Sequence, residues 1–373
     1  MLAYDDLPQS AAPRAPLTWS AAFSGYADRN RFGALDGLRC LLILAVLWHH
    51  GPIWGAMVAP PVLLARGFLG VDFFFVLSGF LITTLLLRET TRKGRFSLRD
   101  FYRRRILRIV PVYFFVVTAV SAYFILAKGH WVYAELVPYY YLFLANFLTN
   151  DMPLLAPTWS LSVEEQYYLV WPLLLMLLPR RAVLPVLGVL IALNVAGIMG
   201  AFSALGLRSF DLGPLRIAFP NATYAPILMG SALGILLNDR RGFSVFFRLF
   251  GHRAAPLVLL LLLVGLAEVL PTDLRGLPNL AIHLAMTACL ASLVLREDHC
   301  LAPILNWGPM ARVGTISYGI YLYHLIGLHV ATILASGLGV NAPWLVLLVY
   351  AAISILISAI SYRTLEAWFL KLR

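Results

Sequence analysis

The stretch Leu35-Asp-Gly-Leu-Arg-Cys-Leu-Leu-Ile-Leu-Ala-Val-Leu-Trp-His-His-Gly-Pro-Ile-Trp54 places an arginine and a histidine inside a long apolar run. Arg39 and His50 are eleven positions apart. That spacing is about three helical turns, so both side chains lie on one face, about 16 Å apart along the axis. Ionisable groups in a membrane helix are costly and usually belong to a pathway or a site. The stretch therefore predicts a membrane helix with ionisable chemistry in its interior.

The composition of the whole chain is that of a multi-spanning membrane protein. Its 373 residues are 61% hydrophobic and 13% charged, with a mean hydropathy of +0.81. A soluble domain carries about 25% charged residues. The net charge of +11 raises the question of a nucleic-acid partner. However, the basic residues lie between the apolar runs, where membrane topology places them, so we expect no nucleic-acid binding. The three cysteines have no CxxC spacing, and we predict neither a disulfide framework nor a metal site.

Hydropathy predicts an all-α polytopic fold with about ten transmembrane helices, because runs near 20 apolar residues are long enough to cross a bilayer. An additional apolar piece, residues 139–148, is too short to span and is expected to be re-entrant or interfacial. The ten predicted spans lie near 35–54, 68–87, 107–127, 161–179, 182–204, 222–238, 255–270, 278–295, 314–336 and 343–362.

The distribution of basic residues sets the predicted orientation. With both termini in the cytoplasm, 23 of the 29 Lys and Arg residues fall inside and five outside, and Arg39 is intramembrane. This asymmetry is what the positive-inside rule requires. We therefore predict a flexible cytoplasmic arm over residues 1–33 and a transmembrane domain over residues 34–370, located in a bacterial inner membrane.

Two motifs suggest chemistry at the predicted cytoplasmic and outer edges. In Phe101-Tyr-Arg-Arg-Arg-Ile-Leu-Arg-Ile-Val-Pro111, Arg105 and Arg108 share a helix face, where arginines can grip phosphate. A simple positive-inside anchor explains the same residues without any ligand. In Pro157-Thr-Trp-Ser-Leu-Ser-Val-Glu-Glu-Gln-Tyr-Tyr168, two adjacent carboxylates begin a helix, where the helix dipole alone favours them. They point about 100° apart, so we expect only Glu164 to face a shared site.

Three further groups of residues are candidates for the interior. Asp36 is spaced to pair with Arg39 at the helix entrance. Gly70-Val-Asp-Phe-Phe-Phe-Val-Leu-Ser-Gly-Phe80 contains Asp72 as a partner for His50 or an interfacial charge, and its Ser78 and Gly79 suggest close helix packing. In Ser317-Tyr-Gly-Ile-Tyr-Leu-Tyr-His324, His324 is a site candidate, although we favour a role in hydrogen bonding between helices.

Together these motifs resemble the acyltransferase-3 family of membrane O-acyltransferases. The resemblance runs in order from about residue 33 to residue 370. Cys40 stands where a small glycine often follows the family's arginine. The motifs that carry the resemblance are Leu35-Asp-Gly-Leu-Arg39 with ten residues before His50, Gly70 to Leu81, Arg104-Arg-Ile-Leu-Arg-Ile-Val-Pro111, Thr158 to Tyr168, Ile316-Ser-Tyr with His324, and Ser361-Tyr-Arg-Thr-Leu-Glu366.

The resemblance implies transfer of an acyl group, often acetyl in this family, from acyl-CoA to a hydroxyl of an extracytoplasmic glycan or glycolipid. His50, Arg39, Glu164 and Asp72 would be catalytic, and the donor's phosphates would lie near Arg105 and Arg108, with Arg104 beside them. Asp36, Ser78, Gly79 and His324 would be secondary. Many members carry an additional esterase-like domain, which we do not expect here because the chain stops after its last span.

Two alternatives remain open from the sequence. A transporter or flippase for a lipid-linked sugar would use His50 as a proton relay. An acyltransferase that acts on a small molecule, such as a macrolide, would use the same donor chemistry. The expected partners are acyl-CoA, a carbohydrate or lipid-linked acceptor and membrane lipids. The oligomeric state does not follow from the sequence.

Overall fold

The computed structural model describes residues 18–29, 31–54, 57, 61–207, 209–217, 224–271, 274 and 276–372. Most of the predicted N-terminal arm lies outside the described residues, and its last part contains helix Trp19–Asp28. The helices α1 to α18 are, in chain order, Trp19–Asp28, Gly33–His49, Val62–Ala65, Leu69–Lys93, Leu98–Ala122, Val137–Tyr141, Thr158–Leu177, Arg180–Ile198, Ala201–Ala204, Ala225–Asn238, Arg240–Phe250, Ala255–Val269, Leu277–Leu295, Ala302–Leu305, Gly308–Thr315, Ser317–Gly337, Pro343–Ser361 and Ala367–Leu370.

Short irregular elements connect these helices. π-Helical turns at Tyr123–Ala127 and Tyr362–Glu366 extend α5 and α17. The short apolar piece near 139–148 is broken into α6 and the 3-10 turn Ala145–Phe147. Strands β1 (Phe210–Leu212) and β2 (Leu215–Ile217) form an antiparallel hairpin with Phe210 opposite Ile217.

The predicted helical fold is confirmed, whereas the predicted count of about ten spans is not. Among the described residues, six helices are long and apolar enough to cross a membrane, and up to eight if each of two bent pairs counts as one span. Every predicted span contains a helix, but α2, α10 and α12 have only 17, 14 and 15 residues. Helix α7 has 20 residues, yet its polar first half lowers its hydropathy. A chain with these helices is a multi-pass membrane protein.

Helix α4 stands between two apolar cores. Val71 and Phe75 face a core built largely by α5, α7, α16 and α17. Phe73 and Val76 face a second core built largely by α1, α2, α10 and α13. This alternation follows from the helical period, because residues about four positions apart share a face. Helix α4 therefore positions the side chains that lie where the two cores meet.

Small residues allow the closest helix contacts. A Cβ on Gly79 of α4 would collide with the backbone carbonyl of Ile227 in α10, and a Cβ on Gly230 would collide with that of Val76. Glycines at such crossings let two membrane helices approach to backbone contact. The predicted packing role of Gly79 is confirmed.

Candidate active site

A cavity of about 450 Å³ lies between α2, α4, α5, α7, α16 and the π-helical turn after α17. Its lining is rich in cations and contains fewer anions. The arginines that line it are Arg31, Arg39, Arg88, Arg105 and Arg108, and the carboxylates are Asp36, Glu164 and Glu366. This excess of arginine suits a ligand with several negative charges, since guanidinium groups bind phosphate in a bidentate manner.

Arg39 of α2 lines the cavity. Its Nη1 atom donates to Oδ1 of Asp36 at 2.8 Å, and the more exposed Arg31 binds the other carboxylate oxygen at 3.2 Å. The predicted pairing of Asp36 with Arg39 is therefore confirmed. The carboxylate offsets part of the cost of the guanidinium and holds it at the cavity.

The three arginines of the α5 motif separate into two environments. Arg105 and Arg108 line the cavity, and the guanidinium of Arg105 lies 4.9 Å from the ring centroid of Tyr168. Arg104 instead donates to Glu89 of α4 at 3.1 Å and does not appear among the cavity-lining residues. The structure thus brings together two of the three arginines predicted to bind the donor. The reason is the helical period, which turns Arg104 about 100° away from Arg105.

Glu164 is the carboxylate that α7 contributes to the cavity. Its Oε1 atom accepts hydrogen bonds from the hydroxyls of Ser78 in α4 and of Tyr168 one turn along α7. Both donors bind the same oxygen, which leaves Oε2 available to the cavity. Glu165 is not among the residues that line it. The predicted divergence of the two neighbours is therefore observed.

Tyr321 of α16 connects the cavity to a pair of histidines. Its hydroxyl lies 2.6 Å from Oγ of Ser160, and both side chains line the cavity. Its backbone carbonyl accepts from Nδ1 of His324 at 2.5 Å. The ring of His324 in turn lies 4.8 Å from that of His50, measured between centroids. His50 does not itself line the cavity, and it is reached from there through Tyr321 and His324.

The hydrogen bonds of His50 define its tautomer. Nδ1 of His50 lies 3.1 Å from the carbonyl of Val46, one turn back in α2. A carbonyl can only accept, so Nδ1 carries the proton and Nε2 carries the lone pair. His49 points differently, with Nδ1 3.1 Å from the carbonyl of Ala65. His50 therefore has the form that a base or a nucleophile requires.

Asp72 has a different partner from the one expected. The sequence predicts a partner for His50 or an interfacial charge, whereas the structure pairs Asp72 with His283 of α13, whose Nε2 lies 3.3 Å from Oδ2. Likewise Glu164, the other predicted orienting carboxylate, is bound by two hydroxyls and not by His50. Thus neither Asp72 nor Glu164 forms a described hydrogen bond with His50. The Asp72–His283 and Glu164–Ser78 contacts join different helices, which spacing within one helix cannot predict.

Glu366 is a cavity residue that the sequence reasoning did not select. It is 7% exposed, and its Oε1 atom has no hydrogen-bond partner among the described residues. A carboxylate in an apolar final span is itself a signal for a site.

Among the described residues, no group of three or more His, Cys, Asp or Glu side chains could hold a metal ion.

Residues 32–363 match the family described as "Acyltransferase domain". The chain belongs to this acyltransferase-3 family. The match covers the histidine pair, every helix from α2 to α17 and most of the cavity lining, although Arg31 and Glu366 lie just outside it. No solved structure matches the chain significantly.

Curated relatives in this family are longer than the chain. The peptidoglycan O-acetyltransferase OatA of Listeria monocytogenes is 27% identical over 91% of this chain and 56% of its own length. The putative peptidoglycan O-acetyltransferase YrhL of Bacillus subtilis is 29% identical over 78% and 47%. The O-acetyltransferase OatA of Staphylococcus aureus is 26% identical over 89% and 56%. The chain thus spans about half the length of the curated relatives it matches.

Proposed function

We propose that this chain is an acyl-CoA-dependent O-acetyltransferase of a bacterial inner membrane, which modifies a hydroxyl of an extracytoplasmic glycan such as peptidoglycan. The observation that carries the proposal is the contact path from an arginine-lined cavity to His50. Family membership and the names of the relatives support acetyl transfer and a glycan acceptor. Both termini lie in the cytoplasm in this proposal, because the basic residues are concentrated in the loops on that side.

The cavity suits the donor at its arginine end. CoA carries phosphates that cannot cross the apolar interior, whereas its pantetheine arm is thin enough to thread between helices. Arg105 and Arg108 belong to the basic segment 88–108, which lies at the cytoplasmic edge in this proposal because of the positive-inside rule. They would hold the phosphates, and the arm would pass Ser160 and Tyr321 toward His50. Arg39 and His50 are about 16 Å apart along α2, so the two ends of the donor would meet different groups.

The transfer step follows from the lone pair on Nε2 of His50. The acceptor hydroxyl gives its proton to this atom, and the hydroxyl oxygen forms a bond to the acyl carbon. The bond from that carbon to the CoA sulfur breaks, and the sulfur recovers the proton as a thiol. A positioned base of this kind contributes about 10²–10⁴ to the rate. Direct acylation of His50 before transfer uses the same lone pair.

The proposal is tested with the full chain in phospholipid vesicles that are supplied with radiolabelled acetyl-CoA and soluble peptidoglycan strands. We expect label in the glycan as an alkali-labile ester. The His50→Ala variant should lose acetyl transfer but still bind CoA. The His49→Ala variant should lose less transfer activity. Label on an added macrolide but not on the glycan would change the acceptor class. Normal transfer by His50→Ala would refute the mechanism. If no acetyl transfer is observed and a lipid-linked sugar moves across the vesicle membrane, the chain is a transporter and the proposed acetyltransferase function is wrong.

A further inference from the structure

His324 has a buried nitrogen without a partner. The residue is 0% exposed, and its Nε2 atom has no hydrogen-bond partner among the described residues. Its Nδ1 atom is held by the carbonyl of Tyr321, so Nδ1 carries the proton and Nε2 carries a lone pair. A buried polar atom without a partner is costly, and a hydrogen-bond donor brought next to it would lower that cost.

The neighbouring ring of His50 gains such a donor when it takes up a proton. In its neutral form His50 uses Nδ1 for the carbonyl of Val46 and offers only a lone pair at Nε2. The two rings are 4.8 Å apart and inclined at 63°. Neither neutral ring has an N–H at Nε2, whereas a protonated His50 carries an N–H donor at Nε2 beside the neutral ring of His324.

Other titratable groups surround the pair. His49 of α2 lies beside the pair, with its own ring 4.9 Å from that of His50. Tyr321 of α16 lines the same cavity as Glu164 of α7. Other titratable groups of α16 have partners of their own: Tyr318 donates to the carbonyl of Ile109 in α5, Tyr323 donates to Ser361 of α17, and His329 lies 3.2 Å from Tyr123 in the π-helical turn after α5. The elements packed against α16 also carry titratable groups, among them Asp36, Arg39, Arg105, Arg108, Tyr113, Arg312, Tyr350 and Glu366.

We propose that His324 is a positioning residue for His50, whose buried Nε2 atom stabilises the His50 ring while that ring carries the proton of the acceptor hydroxyl. The inference rests on the proposed function only for the source of this proton. His324 stays neutral throughout. The proton passes from the acceptor oxygen to His50 and then to the departing CoA sulfur, and the lone pair of His324 lowers the free energy of the charged intermediate. A fixed dipole in an apolar interior is effective for this purpose because it needs no reorganisation.

Two substitutions separate this role from simple packing. His324→Asn keeps an amide N–H near the position of Nδ1 for the carbonyl of Tyr321, but it has no atom at the position of Nε2. His324→Gln places an amide at that position, and its oxygen can accept from a protonated His50. A matched control is His329→Gln, which removes a histidine from the same helix, five positions further along.

We expect kcat of His324→Asn to fall by about 10- to 100-fold, with KM for acyl-CoA little changed. We also expect the acid-side midpoint of its pH–rate profile to move to lower pH, because protonated His50 has lost its stabilising partner. His324→Gln should recover part of both properties, and His329→Gln should resemble the wild type. Equal losses in Asn and Gln variants with an unmoved midpoint would assign His324 to packing and overturn the proposal.

A second measurement does not require turnover. Diethyl pyrocarbonate reacts with neutral imidazole, and fragment-ion mass spectrometry that separates His50 from the adjacent His49 reports the modification of His50 as a function of pH. We expect the midpoint of this curve to be lower in His324→Asn than in the wild type. An unchanged midpoint would refute the coupling of the two rings even if acetyl transfer is observed. A lowered midpoint in a protein without transfer activity would support the coupling while the proposed function fails.

Discussion

Ser78 of α4 donates its hydroxyl proton to Glu164 of α7, and this hydrogen bond joins two helices at the wall of the arginine-lined cavity. Tyr168 donates to the same carboxylate oxygen. Two hydroxyl donors to one oxygen hold a carboxylate in one orientation. The carboxylate of Glu164 is therefore fixed in the cavity wall at the level of Tyr168.

Substitution of Glu164 should affect activity more than substitution of its neighbour. Glu164→Gln replaces the carboxylate of the cavity wall with an amide and weakens the bonds from Ser78 and Tyr168, and we expect acetyl transfer to fall by about 10²-fold or more. Glu165→Gln is the matched control, because its side chain does not line the cavity. The measurement is the initial rate of acetyl transfer in vesicles. A larger loss in Glu165→Gln than in Glu164→Gln would show that the wrong carboxylate was assigned.

The cavity arginines should determine the affinity for CoA. A hydrogen bond between charged partners contributes about 1.5–3 kcal/mol, so we expect Arg105→Gln with Arg108→Gln to raise the Kd for CoA at least about 10-fold. Titration calorimetry on the purified protein measures this affinity. Arg104→Gln is the control, because Arg104 binds Glu89 outside the cavity lining. Equal affinities in the double variant and the wild type would leave the arginines only a role as a membrane anchor.

The contact between α4 and α10 should tolerate no added methyl group. Gly79→Ala would place its Cβ against the carbonyl of Ile227, and overpacking of this kind costs about 1–3 kcal/mol. We expect a lower thermal midpoint in detergent. Gly188→Ala is the control, since nothing lies within 4 Å of a Cβ at that position in α8. Alanine should there be neutral or stabilising because of its higher helix propensity. Indistinguishable midpoints for the two variants would mean that the helices separate easily.

The orientation of the chain can be measured with single cysteines. Cys300 is exposed and is removed first. Arg95→Cys and Lys128→Cys then place thiols at exposed positions beyond the two ends of α5. An impermeant maleimide added to intact spheroplasts should label position 128 and spare position 95, because the basic segment remains inside. Labelling of position 95 before lysis would invert the topology and the side from which the donor enters.

Spacing along the sequence was sufficient to predict which residues on one helix pair or share a face. Asp36 and Arg39 are three positions apart and do pair. Arg105 and Arg108 share a face and do line one cavity. Such relationships depend only on the 3.6-residue period, which is the same in every helix. The number of spans was less predictable, because α2, α10 and α12 are shorter than their apolar runs, and length decides whether a helix alone crosses a bilayer.

The sequence by itself determined the helical class, the segments that form helices, the family and the ionisable residues that lie in apolar segments. Only the tertiary structure decided their partners: Ser78 for Glu164, His283 for Asp72, and His324 for His50. The physical reason is that lipid is as apolar as the helices it surrounds, so hydropathy cannot choose which faces meet. That choice depends on close packing of small residues and on polar contacts between helices distant in sequence. The cavity exists only once α4 has been placed between the two cores.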